Sequence, residues 1–202
     1  ANASTITVNG DFNHGAGVFT YGTSTLVFGA NATYTTPGIQ STLYANNLTI
    51  NDNVTLTLNG STTLAGNLSV GGATGGACAS AGVNDRFRIN GNFTAGAGVT
   101  TFDCVLDYRP SADRTLPSTV TTYRALIFLP VAGTEVLTFG ANFTTTGKDE
   151  ATWGVQLVTG ITDKLTFTLS TSTLSVSGSL RSTSGNVSAS ENVQIAGYID
   201  FG

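Results

Sequence analysis

Apolar and polar residues alternate along this chain in short runs, many of them closed by glycine or asparagine. Leu48-Thr49-Ile50, Val54-Thr55-Leu56-Thr57-Leu58, Leu68-Ser69-Val70, Leu165-Thr166-Phe167-Thr168-Leu169, Thr173-Leu174-Ser175-Val176 and Val193-Gln194-Ile195 all show the two-residue period. Successive side chains of an extended chain point to opposite faces, so this period predicts strands with one buried side. Gly and Asn at the breaks supply the tight or left-handed backbone that corners need. No window carries a helical period, and the chain is predicted to be all-β.

Two repeats organise the strands. Residues 9–18 (NGDFNHGAGV) and 90–99 (NGNFTAGAGV) agree at seven of ten positions, and each copy follows an alternating pair, Ile6 and Val8 or Phe87 and Ile89. Strand-like segments follow at residues 18–21 and 99–102. A shorter Asn-apolar-Ser/Thr motif recurs, as in Asn47-Leu48-Thr49 and Asn67-Leu68-Ser69. The expected fold is a β-solenoid (parallel β-helix-like) with an internal duplication, its coils stacked about 4.8 Å apart. The alternative is two tandem antiparallel β-sandwiches, one per repeat. The repeat units are placed at residues 1–84 and 85–202, the second continuous with the first. Residues 44–72 are expected to form successive rungs, with corner asparagines stacked so that their amides satisfy one another.

NGDFNHGAGVFTYGTSTLVF followed by LYANNLTINDNVTLTLNGSTTLAGNLSVGG resembles the repeats of large secreted β-helical surface proteins and adhesins. The likeness covers residues 6–72 well and 87–147 more loosely. It is a likeness of repeat grammar with no catalytic signature, so it implies fold and location rather than an activity. Such proteins are usually much longer and carry an anchoring domain.

Composition narrows the partners. Only 10% of the 202 residues are charged, against about 25% in ordinary soluble domains, and Thr, Ser, Asn and Gly take their place. Eight Lys plus Arg and a net charge of −4 leave no electrostatic footprint for nucleic acid. No apolar run approaches the roughly 18 residues of a spanning helix; the longest, residues 125–132, contains Pro130. The chain opens at Ala1 and holds no Met, as a mature product would after loss of a signal peptide. Its two cysteines, Cys78 and Cys104, are expected to form a disulfide outside the cell.

Candidate chemistry is thin. His14, the single histidine, stands where the second repeat has Ala95 and is expected to be an exposed turn residue; a Cys/His metal centre is excluded by count. Asp103 and Asp107 lie on one strand near Arg109 and Arg114, an arrangement expected to be a structural ion-pair patch rather than the paired carboxylates of a glycan-cleaving site. Asn51-Asp52-Asn53 has the oxygen-rich look of a calcium loop and also that of an ordinary turn, which is the preferred reading. No catalytic residue, metal ligand or cofactor is expected, and the chain is not expected to be an enzyme. Nine Asn-x-Ser/Thr acceptor triplets, at Asn2, Asn31, Asn47, Asn53, Asn59, Asn67, Asn92, Asn142 and Asn186, mark candidate sites for covalent glycans.

The ends complete the expectation. Thr5, Ile6, Thr7 and Val8 alternate as a first strand, and Val193, Ile195, Tyr198 and Phe201 run as strands to the other terminus. Terminal coils of a solenoid expose apolar core and unpaired backbone unless capped. The expected function is therefore a structural subunit of an extracellular filament or surface layer, with copies of itself as partner through intersubunit strand pairing. The alternative is a glycan-binding adhesin or phage-type fibre module, supported if Trp153, Tyr108 and Tyr123 cluster on an exposed face.

Overall fold

Strands form where the alternation places them, and all pair in parallel. The computed structural model describes residues 3–15, 21–37, 45–82, 85–129, 131, 135–139 and 143–146, and beyond these the backbone of strands at 153–157, 164–167, 173–176, 179–182, 186–188, 192–195 and 199–200. The first sheet stacks β1 (Thr5–Val8), β3 (Thr25–Phe28), β5 (Asn47–Ile50), β8 (Leu68–Val70) and β11 (Phe93–Ala95) in that order. A second file begins with β2 (Phe12–Asn13), β4 (Ala32–Thr35), β6 (Thr55–Asn59) and β9 (Ala77–Ser80). It continues through β12 (Thr101–Tyr108), β14 (Thr122–Phe128), β16 (Phe143–Thr145), β19 (Thr173–Val176) and β22 (Asn192–Ile195).

A third file runs from β7 (Thr62–Leu64) and β10 (Arg86–Ile89) through the same β12 and β14 to β17 (Trp153–Leu157), β20 (Ser179–Ser182) and β23 (Ile199–Asp200). After β11, the place of the first sheet in the winding order passes to β13 (Arg114–Leu116), β15 (Val136–Phe139), β18 (Lys164–Phe167) and β21 (Asn186–Ser188). The chain is thus a β-solenoid of stacked coils. Its parallel register leaves no place for tandem antiparallel sandwiches.

Register explains the core. Ile6, Leu26, Leu48, Leu68 and Phe93 stack in one inward column, and Val8, Phe28, Ile50, Val70 and Ala95 in the next. A two-residue side-chain period fixes this register, since a one-residue slip would turn every leucine outward. Leu48, Ile50, Leu56, Leu58, Leu64, Leu68 and Val70, the rung residues expected from residues 44–72, are all fully buried. Phe87, Phe93, Phe102 and Tyr123 pack as tilted and edge-on rings, with Phe93 and Phe102 centroids 4.9 Å apart.

β12 and β14 serve two files because each runs around a corner without breaking. In β12 the corner is taken up by a register shift between Phe102 and Val105, the extra residue that bends a strand at a bulge. Pairing of β8 with β11, β7 with β10 and β9 with β12 carries the stack across residues 84 and 85.

The two ten-residue copies occupy different points of the winding. Phe12 lies in β2 of the second file and Phe93 in β11 of the first sheet. The shared Asn-Gly-x-Phe text therefore encodes a corner followed by an inward aromatic, a device that serves between any two faces. Residues 16–20, which include most of the strand expected after the first copy, lie outside the described residues.

Candidate functional site

The corners at β5, β8 and β11 of the first sheet are built from asparagine. Asn47 Oδ1 accepts the backbone N–H of Asn67 at 2.8 Å, and Asn67 Oδ1 accepts that of Asn92 at 2.7 Å. Asn47 Nδ2 points back along the stack to Thr25 Oγ1 at 3.5 Å. A backbone N–H only donates, so these contacts identify the oxygen of each amide without ambiguity. Every such bond contributes roughly 0.5–1.5 kcal/mol net and ties one coil to the next. The residue before each upper asparagine is glycine for a steric reason: a Cβ on Gly91 would fall 2.5 Å from Asn67 Oδ1 and 2.6 Å from the Gly66 carbonyl carbon. Gly66 stands in the same relation to Asn47 Oδ1.

Beside this ladder, the outward positions of the same strands carry Thr49, Ser69 and Thr94 in register. The two columns enclose an open trough of about 320 Å³ on the outer face of the first sheet, running across the strands from Thr25 to Asn92. None of its lining residues is charged or aromatic. Chemically it offers amide donors and hydroxyls that donate or accept, repeated at the strand spacing of about 4.8 Å.

The opposite corner uses the same logic with acids and amides mixed. Asp11 Oδ1 accepts Thr33 N–H at 2.7 Å and Asn31 Oδ1 accepts Thr55 N–H at 2.8 Å. Asp52 Oδ1 accepts the N–H groups of Gly72 at 2.9 Å and Thr74 at 3.2 Å. Asn51-Asp52-Asn53 is therefore a corner, with Asn53 in the left-handed region at φ 58°. Among the described residues no group of three or more His, Cys, Asp or Glu is placed to hold a metal.

Partial desolvation works against the Asp52 charge, but hydrogen bonds from Gly72, Thr74 and Gly75 outweigh it and hold the carboxyl below the usual range. A carboxyl depressed in the folded state adds stability above its unfolded value of about 3.9, and that increment is lost as pH falls through the folded value. Asp52→Asn is expected to flatten this part of the acid limb. Urea midpoints measured from about pH 6 to about pH 3 check it; identical slopes for the two proteins would refute it.

β1 ends its sheet, and Thr5, Ile6 and Thr7 are exposed with Val8 half-buried. Ile6 shares the inward column of Leu48 and Leu68, which are fully buried, yet is 37% exposed. Of the residues expected at the other terminus, Val193 and Ile195 lie in β22, while Tyr198 and Phe201 lie outside the described residues.

Asp103 and Asp107 are separated by their surroundings. Asp107 is fully buried and takes Arg88 Nε on Oδ2 at 2.8 Å and Arg109 Nε on Oδ1 at 2.7 Å. In register it stands between Arg88 and Ile127, beside a small outer apolar cluster of Val105, Ala125 and Ile127. Asp103 is 53% exposed and lies 3.7 Å from Arg124. The patch expected with Arg109 and Arg114 is thus corrected: Arg88 and Arg124 are the missing members. Arg114 begins β13, in the column that continues through Leu137.

Two more expectations change. Tyr108 and Tyr123 are core residues, 0% and 1% exposed, and form no surface cluster; the side chain of Trp153 lies outside the described residues. Burial pushes the Tyr108 hydroxyl up to about 12 despite the nearby Arg114 charge, and pushes Tyr123 higher still. His14 is half-buried, with both ring nitrogens screened from solvent and its backbone N–H donated to Thr35 O at 2.9 Å. It is not an exposed turn residue.

Of the acceptor triplets, Asn31, Asn53, Asn59, Asn67 and Asn92 are exposed or half-buried corner residues, and Asn47 is half-buried in the trough. Asn186 opens β21; Asn2 and Asn142 lie outside the described residues. Cys78 and Cys104 are joined, with their Cα atoms 5.9 Å apart, and both are buried in the core. No helix among the described residues is long and apolar enough to cross a membrane. No family model, curated protein or solved structure gives a significant match to the chain.

Proposed function

We propose that this protein is a structural subunit of an extracellular filament or surface layer that assembles by pairing strands between copies. The observation that carries the reading is the edge strand β1: Ile6 lies in the inward column of the stack but remains 37% exposed. Edge strands are ordinarily guarded by Lys, Pro or a bulge, and residues 3–10 contain neither a charge nor a proline. Because every sheet is parallel, β1 of one copy extends β21 of the next in the same sense, and β2 extends β22. Such a contact is heterologous and does not close, so it propagates as a thread. The buried disulfide and the neutral, hydroxyl-rich surface support an oxidising, extracellular setting. In this reading the chain works by shape and self-association, with glycans on the exposed corner asparagines outside the first-sheet trough, Asn31, Asn53 and Asn59, and no catalysis.

Ile6→Lys tests it. The lysine lies at an exposed position, so the monomer is expected to fold as before while head-to-tail stacking is blocked. Electron microscopy and light scattering should show threads or large oligomers for the native protein and monomers for the variant. A native protein that stays monomeric at high concentration, or a variant that assembles equally well, would sink the proposal.

A further inference from the structure

We infer that the trough on the outer face of the first sheet is a binding site for a neutral polysaccharide lying along the stack, across the strands. The argument starts from what the amides have left to give. Each Oδ1 already accepts one bond from the next coil, and one Nδ2 hydrogen of Asn47 reaches Thr25 Oγ1, so Asn47 and Asn67 face a ligand chiefly with their remaining Nδ2 donors, in planes fixed by those bonds. Thr49 and Ser69 add hydroxyls one column away. A fixed set of donors and acceptors costs little ordering entropy when a ligand arrives.

Charge selects the ligand class. The lining carries no ionic group, so phosphates, nucleic acid and acidic polymers would lose hydration with no counter-charge to replace it. An added peptide strand is also disfavoured, because it needs an open sheet edge, and β5 and β8 are paired on both sides here. What fits is a chain of ring hydroxyls, each able to accept from an amide and exchange hydrogen bonds with a threonine. The site is an open trough with the same chemistry repeated from coil to coil, so it suits a polymer of repeating units rather than a single small molecule.

The experiment uses the full chain carrying Ile6→Lys, made in a host without N-glycosylation. Assembly, and sugar attached at the same Asn67 or Asn92, then cannot enter the result. Cellohexaose, maltohexaose and polygalacturonate are titrated by calorimetry. Binding of at least one neutral hexasaccharide, and none of polygalacturonate, is expected. Asn67→Asp keeps the Oδ1 acceptor for the Asn92 N–H and deletes the donor; Thr49→Val keeps the shape and deletes a hydroxyl. Each is expected to weaken binding by about tenfold with an unchanged unfolding midpoint for Thr49→Val. Failure to bind either neutral oligosaccharide, or undiminished binding by both variants, would overturn the assignment, and neither result bears on filament formation.

Discussion

Asp107→Ala will cost about 3 kcal/mol of folding stability, while Asp103→Ala on the same strand will cost less than about 0.5 kcal/mol. Both residues are carboxylates in β12 with an arginine nearby, so sequence proximity alone would treat them alike. Burial decides otherwise. Asp107 is fully buried and bonded by Arg88 and Arg109, which keep 13% and 29% of their side-chain surface in water. Removing the acid leaves two guanidinium groups beside the apolar cluster of Val105, Ala125 and Ile127, with no anion to balance them. Breaking a buried ion pair costs roughly 3–5 kcal/mol, and the lower end applies because both arginines can turn toward solvent on their long stems. Asp103 keeps over half its surface exposed and meets Arg124 at 3.7 Å, a geometry that contributes little. Urea unfolding of the two variants, with the slope monitored for loss of cooperativity, makes the comparison. Similar small losses at both positions would mean that the buried cluster is not holding the coils together.

The contrast shows where sequence reading stops. Alternation gives away which side of a strand faces the core, and the parity of Phe102, Cys104, Leu106 and Tyr108 marks all four as inward. The same parity places Tyr108 among core residues, so the idea of an exposed aromatic face failed on a rule the sequence already contained. Cross-coil partners are a different matter. Asp107 finds Arg88, 19 residues back, while the inward column of the first sheet steps from Leu48 to Leu68 and then to Phe93. Steps of 20 and then 25 residues defeat any fixed repeat length, and only the folded register says which side chains meet.

The place of the corner ladder was legible for the opposite reason, although its amides bond the backbone N–H of the next coil rather than one another. Asn47, Asn67 and Asn92 each precede an apolar residue that must point inward, so the corner is pinned to the strand and not to a count. The ten-residue duplication misleads if taken as a unit of position, because its copies begin strands on two different faces. It is sound as a statement of local chemistry: an Asn-Gly corner, then an aromatic into the core.

Replacing both cysteines, Cys78→Ala with Cys104→Ala, will lower stability by about 3.5 kcal/mol through the entropy of a loop spanning 26 residues in the unfolded chain. Position makes the bond matter beyond that figure. β9 and β12 share a single register pair, Ala79 with Asp103, whereas β6 and β9 below share four. The disulfide joins the same two strands, so it clamps the thinnest step of the second file. In a stacked fold each coil is held only by its neighbours, and a weakened step lets the two halves unfold separately. The variant is therefore expected to show a shallower urea transition as well as a lower midpoint, with amide exchange rising first at residues 77–80. Native protein should resist dithiothreitol until denaturant is added, because Cys78 is 2% and Cys104 0% exposed. A variant that unfolds in one steep transition at the native midpoint would show that the ladder alone carries this junction.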